Sequence, residues 1–240
     1  MPSSWMIDQL EYAGPEHLDP GYVAGYDRKQ GYPGVQDDLE ALAALEVLGA
    51  GSTVVDLGTG TGRFALAAAA MCRRVIAVDV SAAMLAHVRR TADESAVANV
   101  ECVRAGFLDY EHHGAPADVV YTRNALHQLP DFWKGLALHA IASMLRPRGV
   151  LVLHDLVYDF SPAEAPGVLE DWMAGAATDP AEGYTREDFA THVRTEFSTF
   201  SWLLEPLITR AGLRILSREV RGRIYARYVC RKDAGADASA

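Results

Sequence analysis

The residues best placed to do chemistry together lie in VVDLGTGTGRFALAAA, where Asp56 precedes Gly58, Gly60 and Gly62, and in Asp79 further along the chain. The apolar run Thr53 to Leu57 reads as a buried strand, the glycines as a turn, and Arg63 onward as a helix that starts at once. Glycine reaches left-handed angles and lets a backbone approach a ligand closely, while the free N–H groups of the helix start point outward. A ligand is therefore expected on this turn. Its spacing is G-x-G-x-G behind a carboxylate, whereas the dinucleotide fingerprint is G-x-G-x-x-G. A pyrophosphate would be repelled by Asp56, and a ligand carrying an ammonium or sulfonium group would be attracted to it. Asp79 closes the second strand candidate, where a carboxylate can accept both hydroxyl protons of a ribose. Met84 follows at the next helix start.

S-adenosylmethionine has that charge and that ribose. The stretches VVDLGTGTG, VIAVDVSAAML and LRPRGVLVL resemble the class I S-adenosylmethionine-dependent methyltransferases of small-molecule type, over Asp37 to Leu156 and in outline over the C-terminal strands. The resemblance implies that Asp56 and the loop Gly58, Thr59, Gly60 and Gly62 hold the methionine moiety. It implies further that Asp79 binds the ribose and that Val80 and Met84 lie along the adenine. Such enzymes often carry an acidic residue just after the third strand; here that position is Gly106, so backbone groups of Gly106 and Phe107, or the side chain of Asp109, must serve instead. TRNALHQLPDFW resembles the loop after the fourth strand, which implies that Asn124 and Leu126 face the cofactor.

Ligands of open α/β sheets lie beyond the carboxyl ends of the strands, which brings His127, His154, Asp155 and Tyr158 to the expected acceptor side. His127 is a candidate general base, with a structural loop histidine as the competing reading. His154 and Asp155 are adjacent on a strand and so point to opposite faces; one of them is expected at the pocket. Tyr26, with Tyr22 and Arg28 nearby, is a candidate cover over the site. Tyr158, Trp172, Phe189 and Trp202 are candidates for an apolar acceptor pocket, against ordinary core packing. No set of histidines and carboxylates shows metal-ligand spacing, so no metal is expected.

These residues need a scaffold, and from Thr53 the chain alternates short β-branched runs with helical patterns, the signature of βαβ units. Strands are expected at Thr53 to Leu57, Arg74 to Asp79, Val100 to Ala105, Asp118 to Arg123 and Val150 to Leu156. Helices are expected at Arg63 to Met71, Ala82 to Ala96 and Phe132 to Leu145, the last capped by Asp131. Leu213 to Val220 and Ile224 to Arg231 read as a hairpin, preceded by a helix that stops at Gly212 and has Pro206 either near its first turn or kinking it. The expected fold is a Rossmann-like, doubly wound, mostly parallel seven-stranded α/β sheet ending in an antiparallel hairpin, with residues 159–200 as an inserted helical lid. Residues 1–36, with Tyr12, Tyr22, Tyr26 and Tyr32, would form a covering arm; Asp37 to Leu48 reads as an amphipathic helix, and the tail after Lys232 as disordered.

The 240 residues, half of them apolar, suit one such α/β unit. The formal charge of −10 and the scattered basic residues argue against a phosphate-backbone partner. The longest apolar run, Phe64 to Cys72, is well short of the roughly 20 residues that cross a bilayer. No secretory leader pattern opens the chain, so a cytoplasmic enzyme is expected. Cys72, Cys102 and Cys230 read as buried structural thiols. The expected activity is methyl transfer from S-adenosylmethionine, leaving S-adenosylhomocysteine, to an O, N or C nucleophile of a small molecule. RNA or tRNA methylation, non-catalytic S-adenosylmethionine binding and nicotinamide-dependent redox chemistry are the alternatives. A homodimer is compatible with the sequence.

Overall fold

The computed structural model describes residues 4–30 and 34–234. Tyr32 and the tail residues 235–240 lie outside the described residues. Strands β1 (Thr53–Leu57), β2 (Arg74–Asp79), β3 (Val100–Arg104), β4 (Ala117–Arg123) and β5 (Leu145–Tyr158) run parallel in the order β3-β2-β1-β4-β5. A two-residue strand β6 (Thr199–Phe200) pairs with the end of β5. β7 (Leu213–Arg221) and β8 (Tyr225–Lys232) form the expected hairpin, and β8 inserts antiparallel between β5 and β7. Every residue of β1 is buried, as a central strand covered on both faces demands.

Helices α2 (Gln36–Ala44), α3 (Arg63–Ala69), α4 (Ala82–Glu94), α5 (Asp131–Met144) and α8 (Ser201–Arg210) accompany the sheet, and α1 (Pro20–Gln30) precedes it. One core cluster joins Val55, Ile76, Val120 and Leu151 to Leu138 and Ile141 of α5 and Ile208 of α8. A second, on the opposite face, joins Val54, Val75, Val119 and Val152 to Leu42 of α2 and Phe64 and Ala68 of α3. Alternate residues of each strand thus feed two layers. Residues 159–200 carry α6 (Ala165–Ala174) and α7 (Arg186–Thr195). Thr185 opens α7 by accepting from the Asp188 backbone while Asp188 accepts from Thr185 in return.

Three local expectations need correction or narrowing. Asp131 does not cap α5: Pro130 holds the N-cap position, and the Asp131 side chain instead accepts from Lys134 and Thr199. Of the two places expected for Pro206, the first turn is not the one: the residue lies inside α8, at its sixth position, because the helix begins at Ser201. Cys102 is only partly buried, whereas Cys72 and Cys230 are buried, and all three are free thiols.

Candidate active site

The glycine loop follows β1 as expected, and the surroundings of its glycines explain two of them. Gly58 has a φ of 68°, and a Cβ there would meet the Ala125 Cβ at 2.4 Å. Gly62, at the N-cap of α3, has a φ of 80°, and a Cβ would stand 2.8 Å from Val88 on α4. A side chain would therefore strain the backbone and push apart the elements that frame the loop.

Asp56 is buried and accepts from the Thr59 hydroxyl at 2.7 Å and from the Ala65 backbone N–H in the first turn of α3. It therefore caps a helix whose N-cap glycine has no side chain to do so. Burial outweighs these hydrogen bonds and pushes its pKa up to about 7. Asp79 is held at both oxygens, by the Gly60 N–H at 2.9 Å and the Ser81 N–H at 2.8 Å. Burial raises its pKa as well, against those bonds.

Two small compartments open onto the loop. One, of about 60 Å³, is lined by Tyr26, Asp56, Thr59, Arg63 and Arg123 beside Gly58 and Gly60. The other, of about 100 Å³, takes Asp79, Val80, Met84, Gly106, Phe107 and Asn124, together with Gln9 and His17 from the N-terminal segment. Tyr26 lines both. Asn124 takes a left-handed φ of 49°, a conformation asparagine tolerates better than most residues. Leu126 does not line either compartment; its side chain is buried in the core beside Phe107 and Leu129.

At the Gly106 position the structure supplies what spacing could not. The Gln9 side-chain amide lies against Gly106 so closely that a Cβ there would sit 2.5 Å from Gln9 Oε1. Gln9 Nε2 donates to Asp109 Oδ1, which also accepts from the Gly106 N–H, and Gln9 Oε1 accepts from the Leu108 N–H. Gln9 thus fills the place beside the third strand where related enzymes carry an acidic side chain.

Beyond Asn124 a larger cavity of about 700 Å³ is lined by Tyr26, His17, His127 and Gln128 on one side and by Trp172, Tyr184, Phe189, His192 and Glu196 of residues 159–200 on the other. Of the aromatic candidates, Trp172 and Phe189 line it and stack on each other with centroids 4.3 Å apart. Tyr158 instead packs with Phe160 and Phe200, and Trp202 is exposed.

His127 lines this cavity, and Asp155, which borders the neighbouring cavity together with His154, pairs with it. The His127 Nδ1 pairs with Asp155 Oδ1, and the His127 backbone N–H donates to Asp155 Oδ2 at 3.0 Å. His127 Nε2 stands 2.9 Å from Glu196 Oε2. Burial would depress the imidazole's pKa, but Asp155 and then Glu196 overcome it and push it up to about 9. Both ring nitrogens are engaged, so the arrangement departs from that of a free general base. His154 points the other way, as strand alternation requires: its Nε2 lies 2.9 Å from Asp38 Oδ2, in a separate cavity with Arg227. Burial opposes the ionisation of Asp38, yet His154 and Arg227 hold its pKa below the usual carboxylate range.

Sequence spacing also left apart three groups that the fold assembles. His127, His192 and Glu196 have ligand atoms all within 4.8 Å of one another. The i, i+4 pair His192 and Glu196 at the end of α7 was the legible half of that signal; its meeting with His127 depends on how residues 159–200 fold back. Gln9, His17, Arg123 and Gln128 were likewise missed, because polar residues in loops and arms carry no periodicity.

The mostly parallel sheet carries one inserted antiparallel strand, and the glycine loop after β1 faces the Asp79 carboxylate at the end of β2. Residues 54–149 match the family described as methyltransferase domain, so this segment is similar to the domains of S-adenosylmethionine-dependent methyltransferases. It is 27% identical over 197 residues to an uncharacterized methyltransferase of Anoxybacillus flavithermus, covering 76% of this chain and 89% of that one. Among solved structures, the cyclase SpnF superposes with a TM-score of 0.68 at 15% identity, over 95% of this chain and 96% of that one. The N-methyltransferase NodS of Bradyrhizobium japonicum, in complex with S-adenosyl-L-homocysteine, gives 0.57 at 14% identity, over 89% and 99%. A cyclase among these neighbours underlines that the fold alone does not fix the reaction. Among the described residues no helix is long and apolar enough to cross a membrane.

Proposed function

We propose that the enzyme transfers the methyl group of S-adenosylmethionine to an O, N or C nucleophile of a small molecule. The observation that carries this reading is the 700 Å³ cavity next to the glycine loop, closed on its far side by residues 159–200. That volume lies within the few hundred to about 1,000 Å³ of small-ligand sites. Among the described residues its walls are mainly aromatic, and four carboxylates outnumber the one guanidinium, Arg221, which suits a phosphate backbone poorly.

The donor site fits the cofactor at several points. Gly58 and Gly60 leave backbone exposed to the compartments, Asp79 is pre-oriented by two N–H groups to accept ribose hydroxyls, and Met84 and Phe107 offer apolar walls to an adenine. Gly106 and Gln9 border the same end, while Asp56 and Arg123 supply a carboxylate and a guanidinium for the charged methionine end. When bound, S-adenosylmethionine supplies an electrophilic methyl on a sulfonium, so no further activation of the donor is required. The chain's own residues align and enclose: Tyr26 and Asn124 stand at the junction between donor compartments and cavity, and Trp172 and Phe189 present flat apolar surface to an acceptor. His127, Asp155 and Glu196 form a charged cluster at the acceptor wall, with His127 held in one orientation by Asp155.

Incubation with methyl-labelled S-adenosylmethionine and either a small-molecule extract or total RNA tests the acceptor class. Label is expected in the small-molecule fraction; label in RNA would contradict the proposal.

A further inference from the structure

We propose that His127, His192 and Glu196 form a binding site for a divalent first-row transition-metal ion, of the zinc, manganese or ferrous class, on the wall of the acceptor cavity. Two imidazoles and one carboxylate are a donor set suited to such ions, particularly where coordination positions are left open. Glu196 Oε2 lies 2.9 Å from His127 Nε2 and 2.5 Å from His192 Nδ1, so three ligand atoms converge on one point. All three residues line the cavity.

The second observation is how the far nitrogens are held. His127 Nδ1 faces Asp155 Oδ1, and His192 Nε2 lies 2.7 Å from Ser198 Oγ, whose hydroxyl is itself bonded to Tyr158. With each far nitrogen donating to its oxygen, His127 Nε2 and His192 Nδ1 both present lone pairs towards the Glu196 carboxylate. In that tautomer pair the three ligand atoms form a pocket of electron density that one cation can fill, taking the place of the ring proton that otherwise links His127 to Glu196. Outer hydrogen bonds of this kind orient histidine ligands and fix their tautomers in metal sites. Charge agrees once the ion has displaced the His127 proton: Asp155 and Glu196 then contribute −2 beside two neutral imidazoles, which one divalent ion cancels. The Gln128 amide, 3.2 Å from Glu196 Oε2 and 3.1 Å from His127 Nε2, occupies the cavity side of the cluster.

The backbone is prepared for this convergence. The Phe197 N–H donates to the His127 carbonyl at 2.9 Å, and the buried Lys134 ammonium donates to the Phe197 carbonyl and, at 2.8 Å, to Asp131. The end of α7 is thereby fastened to the loop that carries His127. A metal at 2.0–2.2 Å from each donor requires them roughly 3.3 Å apart, so Glu196 moves outward slightly as the ion enters. An ion here would bind an acceptor hydroxyl from the cavity and lower its pKa, the proton leaving to solvent, before the oxygen–carbon bond forms and the carbon–sulfur bond breaks. That role rests on the methyl-transfer reading; the metal site does not.

The test is titration of the chelator-treated full-length protein with Co²⁺, read by visible absorption, with Zn²⁺ as competitor and S-adenosylhomocysteine affinity measured on the same samples. The expected result is saturation at about one equivalent and displacement by Zn²⁺. Asp155→Asn should weaken binding roughly 10–100-fold, and His192→Ala or Glu196→Gln by more, while Asp79→Ala leaves it unchanged. Absence of binding, or binding that survives both His192→Ala and Glu196→Gln in folded protein, would overturn the proposal. Metal binding without S-adenosylhomocysteine binding would uphold the site and remove the methyl-transfer reading instead.

Discussion

Asp56 serves two roles with different electrostatic demands. As a buried cap on α3 it sits with a pKa pushed up to about 7, so its neutral form is favoured by folding. For such a group the contribution to stability is complete below its unfolded value near 4 and is lost as pH rises through about 7. In the proposed reading it neighbours a cationic cofactor and must ionise, so binding should release a proton. S-adenosylmethionine affinity is therefore expected to rise between about pH 6 and 8. Calorimetry in buffers of different ionisation heat would report the proton, and Asp56→Asn would flatten the profile; an unchanged slope in that variant would assign it elsewhere. Asp79 is simpler. Its two oxygens are already oriented, and charge-assisted hydrogen bonds are worth about 1.5–3 kcal/mol each, so Asp79→Ala should weaken S-adenosylhomocysteine by about 100-fold or more with little change in fold.

Between elements, the glycines and the N-terminal segment set the fit. Gly58→Ala should cost about 1–3 kcal/mol, because it combines a φ of 68° with a Cβ overlap on Ala125; thermal unfolding would show the loss. Gly106→Asp, which restores the acidic residue of related enzymes, should destabilise the chain because Gln9 occupies the space. Adding Gln9→Ala should recover much of that loss, a coupling that a double-mutant cycle measures directly. The elements that sequence patterning located well are those buried on both faces. Thr53–Leu57 and Arg74–Asp79 agree residue for residue, since continuous apolar runs bounded by polar ends leave little freedom. Asp131 misled, and Pro206 left two places open, because a cap is defined by one dihedral and a helix start by its tertiary neighbours. The Gln9–Gly106 contact and the insertion of β8 beside β5 join residues far apart in sequence, and no local period records them.

Across the whole molecule, the two compartments on the glycine loop, about 60 and 100 Å³, are much smaller than a typical small-ligand site of at least about 300 Å³. Gln9 and His17 line the larger of them and Tyr26 lines both, so in the proposed reading the N-terminal segment shifts to admit the cofactor and covers it. Hydrogen exchange should therefore change on S-adenosylhomocysteine binding across residues 4–30 more than across β1 or β4; uniform change would contradict a covering role. This is the part of the site least visible in sequence: the loop and Asp79 announce themselves, whereas the walls that give the cleft its size come from an arm and from residues 159–200. The most direct test of the account is calorimetric titration of the protein with S-adenosylhomocysteine, with NAD in parallel and Asp79→Ala as the control. Saturable binding of S-adenosylhomocysteine at about one equivalent is expected, strongly weakened in Asp79→Ala, with no binding of NAD. No binding of S-adenosylhomocysteine, or binding indifferent to Asp79→Ala, would contradict it.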